Sequence, residues 1–272
     1  MLPASLSNFR NYQSNYLACL NLLPGFKEIS AVIEEFLKKI VANGAMYIRI
    51  RPQTLPLIIK DGFLKNAMET SSSASLGGAK SRIESTEFLF NCDKNKMAAG
   101  DYPTFGYLST DNSVVNLYAT YEMAYQYGEI AIKLKKADLI ERTTMTVGTS
   151  LDFMSFAYLV PTLLSDPKAT CIVGLSNSFQ KGSQYAPYGP GSLKNYLYLA
   201  AKIQDGTINE NNFFRISELL GYDNPLFKYI ELQFHGRVTI DNFEEIDVME
   251  PLDKETSEKL QALKIPVVKA EL

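Results

Sequence analysis

The sequence predicts an α+β fold, and three observations carry that prediction. Helical periodicity is concentrated ahead of residue 45, short segments of period two fill the remainder, and no repeat of fixed length occurs. The missing repeat removes solenoids and propellers. At 272 residues, with 46% hydrophobic and 21% charged, the chain has ample material for a substantial core.

Residues 8 to 43 read as helical. A first helix is expected from Tyr12 to Leu22, ending before Leu23-Pro24-Gly25. In the second, Ile29, Val32, Ile33, Phe36, Leu37 and Ile40 recur on one face, with Lys and Glu on the other and Asn43-Gly44 as the stop. This gives an N-terminal helical lobe over residues 1–45. Met46-Tyr47-Ile48-Arg49-Ile50-Arg51 then alternates, placing Tyr47, Arg49 and Arg51 on one face of a strand that Pro52 ends. A short helix follows from Thr54 to Lys60.

Residues 65 to 80 are rich in Ser and Gly and read, by composition, as a linker. They lack Gly-Lys-Ser/Thr, so no Walker loop is present. Pro103 to Asn112 reads as a strand running into a turn, Asn116 to Tyr127 as an amphipathic stretch, and Gly128 to Lys135 as a strand. Glu141 to Ser150 is a further strand and turn. Residues 151 to 222 are mixed, with a Tyr- and Gly-rich loop from Gly182 to Gly191. Tyr229-Ile-Glu231-Leu-Gln233-Phe-His235-Gly236 alternates strictly, and one face carries an aromatic, a carboxylate, an amide and the single histidine of the chain. Residues 251–272 read as a charged tail.

The chemistry narrows by elimination. Cys19, Cys92 and Cys171 form no Cys-x-x-Cys pair, so structural zinc and a disulfide framework are not expected, and the odd count suits a reducing compartment. There is no Gly-x-Ser-x-Gly elbow and no Gly-x-Gly-x-x-Gly fingerprint, which removes a hydrolase elbow and a Rossmann oxidoreductase. A net charge of −3 gives no electrostatic reason to expect nucleic acid as a partner. No signal peptide and no run of about 18 apolar residues is visible, so no membrane span is expected. What remains is a carboxylate on one strand and arginines on another. That set suits chemistry at a sugar anomeric carbon, where a carboxylate stabilises developing positive charge, and a cationic clamp nearby suits a substrate carrying phosphates.

The order of an early strand arginine, a Tyr-x-Ser-Thr strand and a late strand glutamate resembles the ADP-ribosyltransferase superfamily of the Arg-Ser-Glu kind. Glu69-Thr70 through Gly77-Gly78, Pro103 to Leu108, Arg142 to Ser150 and Tyr229 to Gly236 also resemble a poorly characterised bacterial family within or near it. That family carries a Gly/Ser loop after Glu-Thr, then Pro-x-Tyr-Gly-Ala-Leu, Arg-Thr-Thr-Phe and Tyr-Val-Glu-Ala-Gln-Val-His-Gly. The likeness spans residues 46–250. It implies a split-sheet catalytic domain over those residues, NAD as co-substrate, and transfer of ADP-ribose to a protein side chain with release of nicotinamide.

By that resemblance Glu231 is the catalytic carboxylate, Arg49 holds the NAD phosphates or ribose with Arg51 as the alternative, and Ser109 and Thr110 brace the nicotinamide end. Tyr107 or Tyr229 stacks on a ring, Gln233 neighbours the dinucleotide, and the loop containing Ser75 and Gly77 closes over it. No metal is implied. The resemblance also implies a monomeric bacterial effector or toxin, secreted without a conventional leader and acting in a host or target-cell cytoplasm, or otherwise cytoplasmic. An arginine of a metabolic enzyme such as NAD-dependent glutamate dehydrogenase is the expected acceptor, with NAD glycohydrolase and an inactive binding module as rivals. Two departures stand out: Ser109-Thr110-Asp111 replaces Ser-Thr-Ser, and Glu231 has no second glutamate two residues away.

Overall fold

The computed structural model describes residues 25–71, 78–90, 97–109, 127–147, 156–165, 172–175, 190–213 and 230–269. Among these, nine strands join in one sheet: β1 (Ala45–Ile50), β2 (Thr104–Ser109), β3 (Ile130–Leu134), β4 (Thr143–Val147), β5 (Phe156–Leu159), β6 (Ile172–Leu175), β7 (Ile230–Phe234), β8 (Phe243–Val248) and β9 (Val267–Lys269). Their spatial order is β6-β5-β4-β7-β2-β1-β3-β8-β9. Neighbours pair antiparallel except β8 and β9, which run parallel. The α+β class expected from the sequence is the class of the structure.

Alternation divides the sheet into two different faces. Met46, Ile48, Leu108, Ile132, Met145, Ile230, Leu232 and Phe234 lie on one face, all buried. Against it packs helix α1 (Phe26–Asn43), whose Ile33, Leu37 and Ile40 are wholly buried at the spacing the sequence predicts. Gly25 enters α1 at φ 76, and at the far end the Gly44 N–H donates to the Ile40 carbonyl at 2.8 Å. The Lys136 ammonium donates to the Val41, Ala42 and Gly44 carbonyls and so closes the helix terminus with a positive charge.

The remaining helices are α2 (Leu55–Asp61), α3 (Ala67–Thr70), α4 (Gly78–Leu89), α5 (Lys136–Leu139), α6 (Val160–Ser165), α7 (Pro190–Gln204) and α8 (Lys254–Ala262). Leu199 and Ala200 of α7 belong to the same core as α1, and Phe213 meets Phe36 edge-on with ring centroids 5.1 Å apart.

Helix α1 shares one apolar core with the strands. The charged tail is structured: α8 buries Thr256 and Leu260 behind an Asp253 N-cap, and β9 extends the sheet beside β8. Strand β8 went unread because its ladder with β3 is irregular between Lys133 and Leu134, pairing Lys133 with Glu245 but Leu134 with Phe243. The irregularity puts Phe243 and Ile246, three apart, on the core face and hides the period of two. Lastly, the Ser/Gly stretch is bounded by two helices, since Asn66 and Glu69 form a capping box on α3 and α4 begins at Gly78. The Asn116–Tyr127 stretch (bar Tyr127) and the loop from Gly182 (up to Pro190) lie outside the described residues.

Candidate active site

The second face of the sheet is polar where its middle strands meet. Glu231 on β7 stands opposite Tyr107 on β2 and Thr146 on β4, and Tyr107 in turn faces Tyr47 on β1. One level along, Gln233 lies opposite Phe105 and Thr144. Side chains two apart on a strand share a face, so Glu231, Gln233, Thr144 and Thr146 converge on the side away from the apolar core. All four are buried, Glu231 at 2% exposure. Burying so many polar groups is costly unless each finds a partner.

Partners come from within the row and from α4. The Gln233 amide nitrogen donates to Glu231 Oε1 at 3.1 Å and to Thr146 Oγ1 at 3.2 Å, and its carbonyl accepts from Thr144 Oγ1 at 2.9 Å. From above, Arg82 of α4 donates through Nη1 to both Glu231 oxygens, at 3.2 and 3.1 Å. Arg82 is itself 4% exposed and lies 4.2 Å over the Phe105 ring. Thr86, one turn on, and Leu89 are buried with it, so α4 closes this face with its Arg82 side. Beyond Gln233, His235 Nε2 lies 2.8 Å from Thr144 Oγ1, and Phe90 meets the imidazole edge-on at 4.7 Å. Burial, reinforced by the nearby Arg142 charge, pulls the His235 pKa down to about 3.

A cavity of about 400 Å³ opens beside this row, within the range of small-molecule sites. Arg49, Arg51, Lys65 and Arg82 line it together with Asn66, Phe105 and Tyr127, and no carboxylate is among its described lining residues. Two of these cations are offset, since Lys65 pairs with Asp61 at 2.6 Å and Arg82 with Glu231. Arg49 is held in place: its Nε donates to the Gly128 carbonyl at 2.8 Å. Gly128 adopts φ 119, and a Cβ there would sit 2.0 Å from the Ile50 carbonyl oxygen, so only glycine brings that carbonyl so close to β1. Asn66 fixes the opposite wall by donating to the Ala99 and Tyr102 carbonyls at 2.8 and 2.9 Å.

The residues expected from the sequence therefore separate into groups. Arg49 and Arg51 both line the cavity, Arg49 buried within β1 and Arg51 exposed just beyond it. Glu231 lies behind Arg82, which both lines the cavity and touches the carboxylate. Gln233, expected beside the dinucleotide, is fully buried and committed to Thr144, Thr146 and Glu231, so it supports the carboxylate from below. Tyr107, expected to stack on a substrate ring, instead stacks on Tyr47 with centroids 5.5 Å apart, and burial raises its phenol well above the ordinary range. Ser109 is buried at the end of β2 opposite Ala45, away from the cavity lining. Thr110, Tyr229, Ser75 and Gly77 lie outside the described residues.

Sequence reasoning passed over Arg82, Thr144 and Thr146. A signal for Arg82 existed: Arg82, Thr86 and Leu89 fall at helical spacing on one face, which places a cation on the side of α4 that must be buried.

No protein-family model matches this sequence, and no curated protein matches it. Among solved structures the chain is similar to Thermus sp. 2.9 DarT in complex with NAD+, at 14% identity over 82% of this chain and 93% of that chain, with a TM-score of 0.38. A second similarity is to Thermosipho africanus DarTG in complex with ADP-ribose, at 12% identity over 83% of this chain and 49% of that one, TM-score 0.39. A third is to Thermus sp. 2.9 DarT in complex with ADP-ribosylated ssDNA, at 13% identity, 82% and 92% coverage and a TM-score of 0.44. The single-stranded DNA is that protein's, and the expectation that nucleic acid plays no part is withdrawn for this chain. That expectation rested on a net charge of −3, which averages over the whole surface and is blind to the local cations of the cavity.

Proposed function

We propose that this protein is an NAD-dependent ADP-ribosyltransferase. The observation that carries the reading is Glu231, a glutamate at 2% exposure held by a guanidinium in the wall of a cation-lined cavity. The NAD pyrophosphate would be gripped by Arg49 and Arg51, whose forked donors match phosphate oxygens. Asn66 and Phe105 offer an amide and an aromatic surface in the same cavity.

In the reaction, the bond between nicotinamide nitrogen and ribose C1′ breaks, and its electron pair leaves with nicotinamide. Positive charge then spreads over C1′ and the ring oxygen, and the Glu231 carboxylate stabilises it. A nucleophile on the acceptor closes a new bond to C1′ and gives up a proton. Arg82 orients the carboxylate beforehand, and must yield at least one of the two oxygens as the ribose arrives.

The test is incubation with NAD+ labelled in its adenylate part, followed by separation of labelled products on single-stranded oligonucleotides and on proteins of a lysate. Label on a macromolecule that disappears with Glu231→Gln supports the reading, and the acceptor is read directly from which polymer carries it. Nicotinamide release with no labelled polymer means that water is the acceptor. No consumption of NAD+ in any arm refutes the reading.

A further inference from the structure

We propose that His235 is a positioning residue for Glu231: a neutral imidazole with its proton on Nε2, it sets the direction of a hydrogen-bond chain that runs through Thr144 and Gln233 to the carboxylate. This rests on Glu231 being the catalytic group, and it goes beyond that reading by assigning work to the one histidine in the sequence.

The direction follows from counting protons. Thr144 Oγ1 lies 2.8 Å from His235 Nε2 and 2.9 Å from Gln233 Oε1, and a hydroxyl has one proton to give. Gln233 has to point its NH2 at Glu231 Oε1, because its carbonyl there would set two acceptors 3.1 Å apart. Its carbonyl then faces Thr144, which must donate to it. Thr144 has no proton left for the imidazole, so Nε2 has to carry one. Were Nε2 bare, Thr144 would donate to it, Gln233 would lose its reason to keep that orientation, and Glu231 would lose a donor.

Two features keep the imidazole neutral while it donates. The ring is fully buried, with Phe90 meeting it edge-on, and the guanidinium of Arg142 donates to the His235 backbone carbonyl at 2.6 Å. The same two features, burial and the Arg142 charge, depress its basicity. His235 is therefore a fixed donor across the physiological range. The backbone on either side is pinned as well, since the His235 N–H donates to the Arg142 carbonyl at 2.9 Å. Arg142 and His235 thus hold the end of β7 and the start of β4 together from both sides.

Because the chain contains a single histidine, imidazole 15N labelling reports this group alone. The expected spectrum is that of the neutral Nε2–H tautomer, unchanged from pH 5 to pH 8, with the Nε2 resonance moving in Thr144→Val as its hydrogen-bond acceptor is lost. An Nδ1–H tautomer in the parent protein, or titration near pH 6.5, overturns the proposal. The kinetic arm compares His235→Leu with His235→Gln, whose amide nitrogen reaches about where Nε2 lies. His235→Leu should lower kcat on the order of 10- to 100-fold with KM for NAD+ nearly unchanged, as loss of an outer supporting group does. His235→Gln should recover most of that loss. Equal losses in both variants would mean that the histidine only fills space, and would overturn the proposal. If the parent protein does not turn over NAD+, the proposed reaction fails, and the tautomer and the response of Nε2 to Thr144→Val still decide the hydrogen-bond chain.

Discussion

Replacing Arg82 by methionine keeps most of the side-chain volume and removes only the charge and its donors. Arg82 and Glu231 are 4% and 2% exposed, so water cannot take over the solvation of the carboxylate once the guanidinium has gone. A surface pair lost in this way costs about 1 kcal/mol or less, whereas a buried pair broken on one side costs about 3–5 kcal/mol. Arg82 also lies over the Phe105 ring at 4.2 Å, which favours the upper part of that range. For a chain of this length each kcal/mol moves Tm by about 2–4 °C, so the expected fall is roughly 6–20 °C. Urea unfolding of Arg82→Met, Glu231→Met and the double variant checks the reasoning. The double variant should be less destabilised than the sum of the singles, because neither charge is left alone. If Arg82→Met costs under about 1 kcal/mol and the cycle shows no coupling, the pair is not buried in solution and the description of the site is wrong.

Two further perturbations probe the cavity's frame. Asp247 on β8 is 4% exposed with one oxygen lacking a hydrogen-bond partner, and burial, followed by the neighbouring Glu245, pushes its carboxyl up to about 7. The folded state then holds a proton that the unfolded chain releases near 3.8, so this group's stabilising contribution is complete below that value and lost as pH rises through 7. Asp247→Asn should flatten the decline in urea midpoint between pH 5 and pH 8, and an unchanged slope would show that another group carries it. Gly128→Ala would place a Cβ 2.0 Å from the Ile50 carbonyl oxygen at a φ of 119, costing about 1–3 kcal/mol and loosening the clamp on Arg49. Calorimetry should then show weaker NAD+ binding, and parental stability together with parental affinity would remove Gly128 from the frame.

Much of the fold could be read from the chain because burial imposes a period on the sequence. The α1 face and the alternating β1 and β7 segments obey that rule without interruption, and both were legible. Where the rule is broken, reading failed. Strand β8 is interrupted by its irregular ladder, and β9 has Val267 and Val268 both exposed at the sheet edge, so neither shows an alternating pattern. In the site, Glu231, Arg49 and Arg51 were legible as unusual charges on strand faces. Arg82 was not, because a cation on a helix ordinarily points to solvent, and only the packing of α4 over the polar face reverses that expectation. The roles of Tyr107, Ser109 and Gln233 were implied by the resemblance, which does not tell how deep each position lies, and all three are buried.

Depth along that face is what separates binding from support. Tyr47 and Tyr107 stack on one another, and Gln233, Thr144 and Thr146 use their polar atoms among themselves, so the level at and beneath Glu231 is already occupied by protein. Among the described residues, the open side is the one on which Arg82 and the cavity lie. Arg82 lines the cavity and touches the carboxylate at once. In the proposed reaction it supplies, before NAD+ arrives, the positive charge that a buried glutamate requires; as nicotinamide departs, the ribose would develop positive charge of its own beside the same oxygens. The two cations compete for one carboxylate, so an arginine that stabilises the resting site also opposes substrate entry. A variant that weakens this contact without emptying the position, Arg82→Lys, therefore separates the two roles: it should lower stability while changing KM and kcat in opposite senses, and a parallel loss in both would mean that Arg82 acts with Glu231 throughout the reaction.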